Sequence, residues 1–140
     1  MRLLVLIATL ACLLTATALA SAAAPPDADA KFDPSVARGL TAAELKTMLD
    51  AGKKVVIVDG RDELDGEMIK GAVQVTEEHL VNWSDSAPKD TPIVFYCTCD
   101  DDGIGIADVL AMQNLGFKNT FYLKGGLDAA RAAGIPIVAP

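Results

Sequence analysis

The fold of this chain is decided by the stretch Ile93-Val94-Phe95-Tyr96-Cys97-Thr98-Cys99-Asp100-Asp101-Asp102-Gly103. Its first four residues are apolar, which is typical of a short strand covered on both faces in a parallel sheet. Cys97 closes that strand, and a helical pattern begins after Gly103. Open α/β sheets carry their chemistry between a strand end and a helix start, where turn amides can stabilise a thiolate or a bound anion. The stretch therefore predicts an α/β fold with a reactive sulfur at the carboxyl edge of the sheet.

Strand and helix patterns alternate along the rest of the chain. The first predicted helix begins at a capping box formed by Thr41 and Glu44, and it ends at Gly52. Further helices are predicted over residues 104–116 and 127–133, and strands over residues 55–58, 72–75, 93–96 and 120–123. Such alternation is typical of βαβ units, so the sheet is predicted to be parallel.

The N-terminal part of the chain has the pattern of an export signal. Residues 1–20 contain Arg2, an apolar run over residues 3–14 and a small-x-small cleavage site at residues 18–20. Residues 21–36 are rich in alanine and predict a flexible leader, which leaves one domain over residues 37–140. We therefore expect a periplasmic or secreted protein, in contact with a membrane only if the signal stays uncleaved.

Charge and cysteine content narrow the classes of partner. The formal net charge is −7, and no basic cluster relieves it, which argues against nucleic acid and anionic lipid as partners. Cys12 falls within the predicted signal, so the exported form keeps only Cys97 and Cys99. Two thiols one residue apart are too local to form a disulfide framework, even in an oxidising compartment.

Five short segments resemble, in their order along the chain, the rhodanese-like domain. They are Val58-Asp59-Gly60-Arg61, Asp65 with Ile69-Lys70-Gly71-Ala72, Val94-Phe95-Tyr96-Cys97, Leu115-Gly116-Phe117-Lys118-Asn119 and Leu123-Lys124-Gly125-Gly126-Leu127-Asp128-Ala129. The resemblance covers roughly residues 40–137. It implies a three-layer α/β/α fold, with a central parallel sheet of about five strands and helices on both faces.

The resemblance also implies roles for individual residues. Cys97 matches the catalytic position that carries a persulfide in active members, while Asp59 and Arg61 match a pair that supports the wall of the site. Loop amides would hold the outer sulfur or the developing charge. This active-site loop comprises, besides the two cysteines, Thr98, Asp100, Asp101, Asp102, Gly103, Ile104 and Gly105. The implied function is an exported sulfurtransferase that uses a small sulfur donor or a protein persulfide or thiol, and needs no metal or organic cofactor.

The loop departs from the family's usual pattern because it holds three acidic residues and no basic residue. A helix N-terminus stabilises a well-placed anion by up to about 2 kcal/mol. Three nearby carboxylates nearly cancel that effect, so we expect Cys97 to be less acidic than it would be beside an arginine. The same charges would repel thiosulfate and other anionic donors. Phosphatases of this fold clamp phosphate with a loop arginine, which the segment from Cys97 to Gly116 lacks.

Several alternatives remain open at this point. Cys99 could discharge a persulfide on Cys97, the pair could exchange disulfides with a partner with Cys99 as the resolving thiol, or Cys99 could be only a small loop residue. The three acidic residues could cap the next helix, or could bind a metal or a cationic ligand. A soft-metal site formed by both cysteines and His79 is a further alternative. A non-catalytic binding module would keep the fold and lend its cleft to a partner protein.

Overall fold

The computed structural model describes residues 33–140. The predicted signal and most of the predicted leader lie outside the described residues. The last residues assigned to the leader, Pro34–Val36, form a short 3-10 turn in which the side chain of Asp33 accepts a hydrogen bond from the amide of Ser35. Among residues 33–140, none of the helices is long and apolar enough to cross a membrane.

Seven strands and four helices follow the 3-10 turn. In chain order they are β1 (Gly39–Leu40), α1 (Ala42–Asp50), β2 (Val56–Asp59), β3 (Met68–Ile69), β4 (Val73–Gln74), α2 (Glu77–Ser84), β5 (Ile93–Tyr96), α3 (Gly103–Asn114), β6 (Thr120–Leu123), α4 (Gly126–Ala132) and β7 (Ile137–Val138). Five of the strands form one sheet in the order β1-β6-β5-β2-β4, and every neighbouring pair in it is parallel. The predicted parallel sheet of about five strands is confirmed.

The central strand β5 carries the site, since it lies between β2 and β6. Ile93 pairs with Val56 on one side and with Thr120 on the other. All four β5 residues are buried because helices cover both faces of the sheet. One core cluster joins the sheet to α1 and α4, and the other joins it to α2 and α3. The architecture is therefore α/β/α in three layers.

The capping box at the start of α1 is confirmed. The amide of Glu44 donates to Thr41 Oγ1 at 3.3 Å, and the amide of Thr41 donates to Glu44 Oε2 at 2.8 Å. These bonds satisfy helix-end amides that would otherwise have no partner in the chain. The helix therefore begins where the sequence predicts it.

The sequence did not predict three short strands. β1 completes one end of the main sheet by pairing with β6, and β3 and β7 form a separate antiparallel pair. Each is two residues long, which is too short to show the alternating pattern that identifies a strand. Their positions are fixed by tertiary packing rather than by local sequence.

Candidate functional site

Cys97 lies directly after β5, at the floor of a cavity of about 210 Å³. We call it the cysteine cavity; its lining residues are Cys97, Thr98, Cys99, Asp100, Gly125, Leu127 and Asp128. Cys97 is only 1% exposed, and it is one of the residues that line this cavity. The predicted placement of the thiol at the carboxyl edge of the sheet agrees with this geometry.

The start of α4 forms one wall of the cysteine cavity and contacts the backbone of Cys97. The amide of Leu127 donates to the carbonyl of Cys97 at 3.2 Å. Gly126 has a φ of +52°, and a Cβ at that position would collide with the same carbonyl. The double glycine therefore permits a close approach between the strand end and the helix that a side chain would prevent.

The two cysteines of the loop are joined to each other. The sulfur atoms of Cys97 and Cys99 are bonded, and their Cα atoms are 5.5 Å apart. The amide of Cys99 also donates to the sulfur of Cys97 at 3.3 Å. The structure thus describes the oxidised pair, and Cys97 becomes a nucleophile only after two electrons and two protons convert the bond to two thiols.

The loop amides form only part of the cradle expected from the sequence. The Cys99 amide faces the sulfur, but the amide of Asp102 donates to the carbonyl of Cys99 at 3.4 Å. The amide of Gly103 donates to Asp101 Oδ1 at 3.1 Å. The sequence led us to expect the amides of residues 99–105 to hold the outer sulfur or the developing charge. This expectation is corrected for Asp102 and Gly103, whose amides bond within the loop.

The three loop acids have different roles. Asp101 caps the first residue of α3, as the helix-capping interpretation predicts. Asp102 lies at the N-cap in the left-handed region, with φ 55°, and its side chain makes no bond to the amides of α3. It instead accepts two hydrogen bonds from the amide of Gly125, at 3.0 and 3.1 Å. Asp102 therefore ties the loop to the start of α4, and the capping interpretation is wrong for this residue. Asp100 is exposed at the cavity.

The remaining loop residues frame the cavity and the helix start. Thr98 is exposed at the cavity, and Ile104 is also exposed. Gly105 is buried against the carbonyl of Phe95 and the side chain of Tyr122, where a Cβ would be crowded. This close contact seats the first turn of α3 on the sheet.

Asp59 and Arg61 form a buried ion pair at the carboxyl end of β2. Arg61 donates to the Asp59 carboxylate through Nε at 2.9 Å and through Nη2 at 2.7 Å. These bonds raise the pKa of Arg61 above its ordinary value. Nη2 also donates to the carbonyl of Glu67 at 2.9 Å, whereas Asp65 is 3.8 Å from the guanidinium. Neither residue lines the cysteine cavity, in keeping with a supporting role.

The hydroxyl of Tyr96 extends this buried polar group. It accepts a hydrogen bond from the amide of Ile69 at 3.0 Å, and burial followed by the neighbouring Asp59 raises its pKa far above the ordinary value. Tyr96 therefore stays neutral and links the main sheet to β3. This link fixes the strand end from which Cys97 follows.

Asp108 is a notable residue that the sequence interpretation missed. It lies on α3, is 1% exposed, and packs against Gly60 at the end of β2. Burial, then the charges of Glu77 and Asp62, raises its pKa to about 7. Its Oδ2 has no hydrogen-bond partner within residues 33–140. The signal in the sequence was its helical spacing, which places Asp108 on the same buried face of α3 as Gly105, Val109 and Met112.

Within residues 33–140, His79 does not come together with the cysteine pair as a group that could hold a metal ion. It lies in α2, where its Nδ1 is 2.8 Å from Thr76 Oγ1, and it lines a different cavity. The alternative of a soft-metal site formed by Cys97, Cys99 and His79 is therefore wrong.

Comparison with known proteins agrees with this architecture. The family model of the rhodanese-like domain matches residues 41–133. The chain is 30% identical over 95 residues to the probable adenylyltransferase/sulfurtransferase MoeZ of Mycobacterium tuberculosis, covering 64% of this chain but only 24% of that protein. It is 30% identical over 82 residues to the thiosulfate sulfurtransferase GlpE of Coxiella burnetii, covering 57% of this chain and 75% of that protein.

A solved structure shows the same fold. The crystal structure of the Alr3790 protein from Anabaena superimposes with a TM-score of 0.64 at 30% identity, covering 72% of this chain and 82% of that chain. The family match spans most of both core clusters and the loop that carries the cysteine pair. The chain belongs to the rhodanese-like domain family.

Proposed function

We propose that the protein is a sulfurtransferase that carries sulfane sulfur as a persulfide on Cys97. The observation that supports this most directly is the position of Cys97, at the floor of a small cavity with the Cys99 amide 3.3 Å from its sulfur. Sulfurtransferase relatives within the same family add support. Reduction of the Cys97–Cys99 bond by a thiol donor precedes the first turnover.

The proposed reaction has two displacements. The Cys97 thiolate attacks the outer sulfur of a donor persulfide, so that a new S–S bond forms, the donor's S–S bond breaks and the donor leaves as a thiolate. An acceptor thiolate then attacks the outer sulfur of the Cys97 persulfide, and Cys97 leaves as a thiolate. Alternatively Cys99 attacks Sγ of Cys97, which releases hydrosulfide and restores the Cys97–Cys99 disulfide.

Charge at the cysteine cavity selects the donor. Asp100 and Asp128 line the cavity together with the two cysteines, and no basic side chain is among the described lining residues. Carboxylates near the entrance disfavour thiosulfate, so the proposed donor is a neutral or cationic persulfide or a protein persulfide. The volume of about 210 Å³ admits only the end of such a molecule.

We also propose that this chemistry takes place outside the cytoplasm. The support is the signal-like pattern of residues 1–20, with Arg2 followed by an apolar run and a small-x-small site. In such a compartment the cysteine pair would rest in the oxidised form and would need a reducing partner.

Thiol–disulfide exchange is the second candidate function. It is favoured by one observation, the bond between Cys97 and Cys99. In this reaction a partner thiolate attacks one sulfur of the pair to form a mixed disulfide. A second thiolate of the partner then attacks the partner's sulfur in the mixed disulfide, and the cysteine of this chain leaves as a thiolate. The partner gains a disulfide, and the Cys97–Cys99 pair is reduced to two thiols.

Mass spectrometry after reaction separates these functions. Reduced protein is incubated with cysteine persulfide, with thiosulfate or with a small disulfide, and the peptide containing the pair is then measured. The sulfurtransferase function predicts that cysteine persulfide adds one sulfur atom to Cys97, and that Cys99→Ser accumulates this product because it cannot discharge it. The Cys97→Ser variant should add none.

Each other outcome has a defined meaning. Rapid loss of two hydrogens with the disulfide, without sulfur gain from either donor, would favour thiol–disulfide exchange. Brisk thiosulfate turnover that survives Cys97→Ser would refute both the site and the charge argument. Inertness of the thiols toward all three reagents would leave a non-catalytic binding module.

A further inference from the structure

A chain of hydrogen bonds joins the start of α4 to the sulfur of Cys97. The amide of Gly125 donates to both carboxylate oxygens of Asp102, at 3.1 and 3.0 Å. The amide of Asp102 donates to the carbonyl of Cys99 at 3.4 Å, and the amide of Cys99 donates to the sulfur of Cys97 at 3.3 Å. Asp102 is the middle of this chain, since it accepts through its side chain and donates through its backbone.

The backbone of Cys97 contacts the same helix start, so these links form a closed circuit. The amide of Leu127 donates to the carbonyl of Cys97 at 3.2 Å. The segment from Cys97 to Asp102 is therefore attached to the start of α4 at both of its ends, and Cys99 lies between the two attachments. Gly125 and Leu127 both line the cysteine cavity, which places the attachments at the site itself.

Asp102 adopts a backbone conformation that helix capping does not explain. Among residues 33–140 it is the only non-glycine residue with a positive φ, which is 55°. It occupies the N-cap position of α3, but its side chain makes no bond to the amides of that helix. The left-handed region carries a modest cost for aspartate, which a charge-assisted hydrogen bond can offset. The bond to Gly125 therefore decides where this end of the loop lies.

We propose that Asp102 is a positioning residue for the cysteine pair, which ties the loop to Gly125, holds Cys99 against the sulfur of Cys97 and so favours closure of the disulfide. A reduced loop attached at both ends has fewer conformations, so less entropy is lost when the S–S bond forms. Asp102 thereby raises the effective concentration of one sulfur at the other. This role concerns the pair itself, and only its effect on turnover rests on the proposed sulfur transfer.

The thiol–disulfide equilibrium of the purified protein with dithiothreitol tests the proposal. The two thiols of dithiothreitol give two electrons and two protons to the Cys97–Cys99 bond, which leaves two cysteine thiols and the cyclic disulfide of the reagent. Asp102→Gly removes the carboxylate and tolerates the positive φ. We expect it to shift the equilibrium about tenfold toward the reduced pair, measured at pH 6 by alkylation and mass spectrometry. Ordinary thiols are protonated at that pH, so the lost charge has little effect on the reduced form.

Two further variants separate the attachment from the loss of charge and from added flexibility. Asp102→Asn keeps an acceptor oxygen and should stay within about threefold of the wild type. Asp101→Gly is the matched control because it removes the same charge and adds the same glycine to the loop, whereas Asp101 accepts from the amide of Gly103 at the start of α3. It should also stay within about threefold. A shift in Asp102→Gly no larger than in Asp101→Gly, or equal shifts in Asp102→Gly and Asp102→Asn, would overturn the proposal.

A variant that keeps the charge decides the matter if Asp102→Gly is poorly folded. Asp102→Glu is still an anion, but its longer side chain displaces the carboxylate from the amide of Gly125. A shift of at least about threefold toward the reduced pair is expected and supports the proposal. A smaller shift would contradict it.

Hydrosulfide release shows whether the role extends to the proposed sulfur transfer. Reduced protein is loaded with cysteine persulfide, after which Cys99 attacks Sγ of Cys97, hydrosulfide leaves and the disulfide forms. Asp102→Gly should slow this release more than it slows the preceding sulfur uptake, because Cys99 spends less time near its target. If the wild type gains no sulfur, the proposed sulfur transfer fails, while the equilibrium with dithiothreitol still decides the role of Asp102. Equal slowing of uptake and release would count against that role.

Discussion

Replacement of Asp108 by asparagine should remove a pH dependence that this one residue imposes on stability. Its pKa is about 7 in the folded protein, against an ordinary value of 3.8, because burial and then the charges of Glu77 and Asp62 disfavour the ionised form. The folded state therefore holds this proton more tightly than the unfolded state does. The contribution of Asp108 to the free energy of unfolding is therefore fully present below about pH 4, and it is lost as the pH rises through 7.

The magnitude follows from the difference between the two pKa values. About three pKa units, at 1.36 kcal/mol for each unit, correspond to roughly 4 kcal/mol between the acidic and the neutral limits. Asparagine keeps the shape of the side chain but cannot ionise. The free energy of unfolding of Asp108→Asn, relative to that of the wild type, should therefore rise by about this amount from about pH 4 to pH 8.

Urea denaturation at a series of pH values measures this difference directly. Both proteins are studied with the cysteine pair oxidised, so that the disulfide contributes equally. Subtracting the wild-type value from the variant value at each pH removes the contribution of every other titrating group, because both proteins share those groups. The variant Asp85→Asn controls for the change in net charge. If the difference between Asp108→Asn and the wild type stayed constant from acidic to neutral pH, the account of this buried acid would be refuted.

Three further substitutions test the site and its support. Arg61→Met should destabilise the protein by about 3–5 kcal/mol in denaturation, because it leaves the buried carboxylate of Asp59 unpaired. Gly126→Ala should cost about 1–3 kcal/mol through its positive φ and its contact with the carbonyl of Cys97, and should slow persulfide formation; unchanged kinetics would contradict that contact. Asp100→Lys should speed sulfur uptake from thiosulfate roughly five- to tenfold at low salt while leaving uptake from a neutral persulfide unchanged, as stopped-flow assays can show.

The sequence predicted the elements whose burial and capping are local. The strand Ile93–Tyr96 and the strand Thr120–Leu123 were predicted with their observed bounds, because continuous apolar runs between turn residues are distinctive. The capping box fixed the start of α1 in the same way. The pairing of Met68–Ile69 with Ile137–Val138 could not be predicted, since it joins segments far apart in the sequence.

The candidate site was predictable in position but not in detail. A cysteine after a buried strand is visible in the sequence, and the structure places Cys97 at the expected edge. The left-handed backbone of Asp102 was not foreseeable, because aspartate adopts that conformation only where the surroundings demand it. The hydrogen bonds that its carboxylate accepts from the amide of Gly125 hold it in that conformation. These bonds depend on a helix that begins more than twenty residues later. The contact of Asp108 with Gly60 could not be predicted either, because it joins α3 to the end of a strand far away in the sequence.

The arrangement of the loop acids bears on how the cysteine pair would work. The amides of Gly103 and Asp102 donate to Asp101 and to the carbonyl of Cys99, and the amide of Cys99 donates to the sulfur of Cys97. With few donors and nearby carboxylates, this loop would offer little stabilisation to a thiolate formed at Cys97 on reduction. A neighbouring thiol that closes a disulfide avoids the need for a long-lived thiolate. The acidic loop and Cys99 are therefore linked features, and Cys99→Ser should slow each turnover that ends in hydrosulfide release more than it slows the first sulfur uptake.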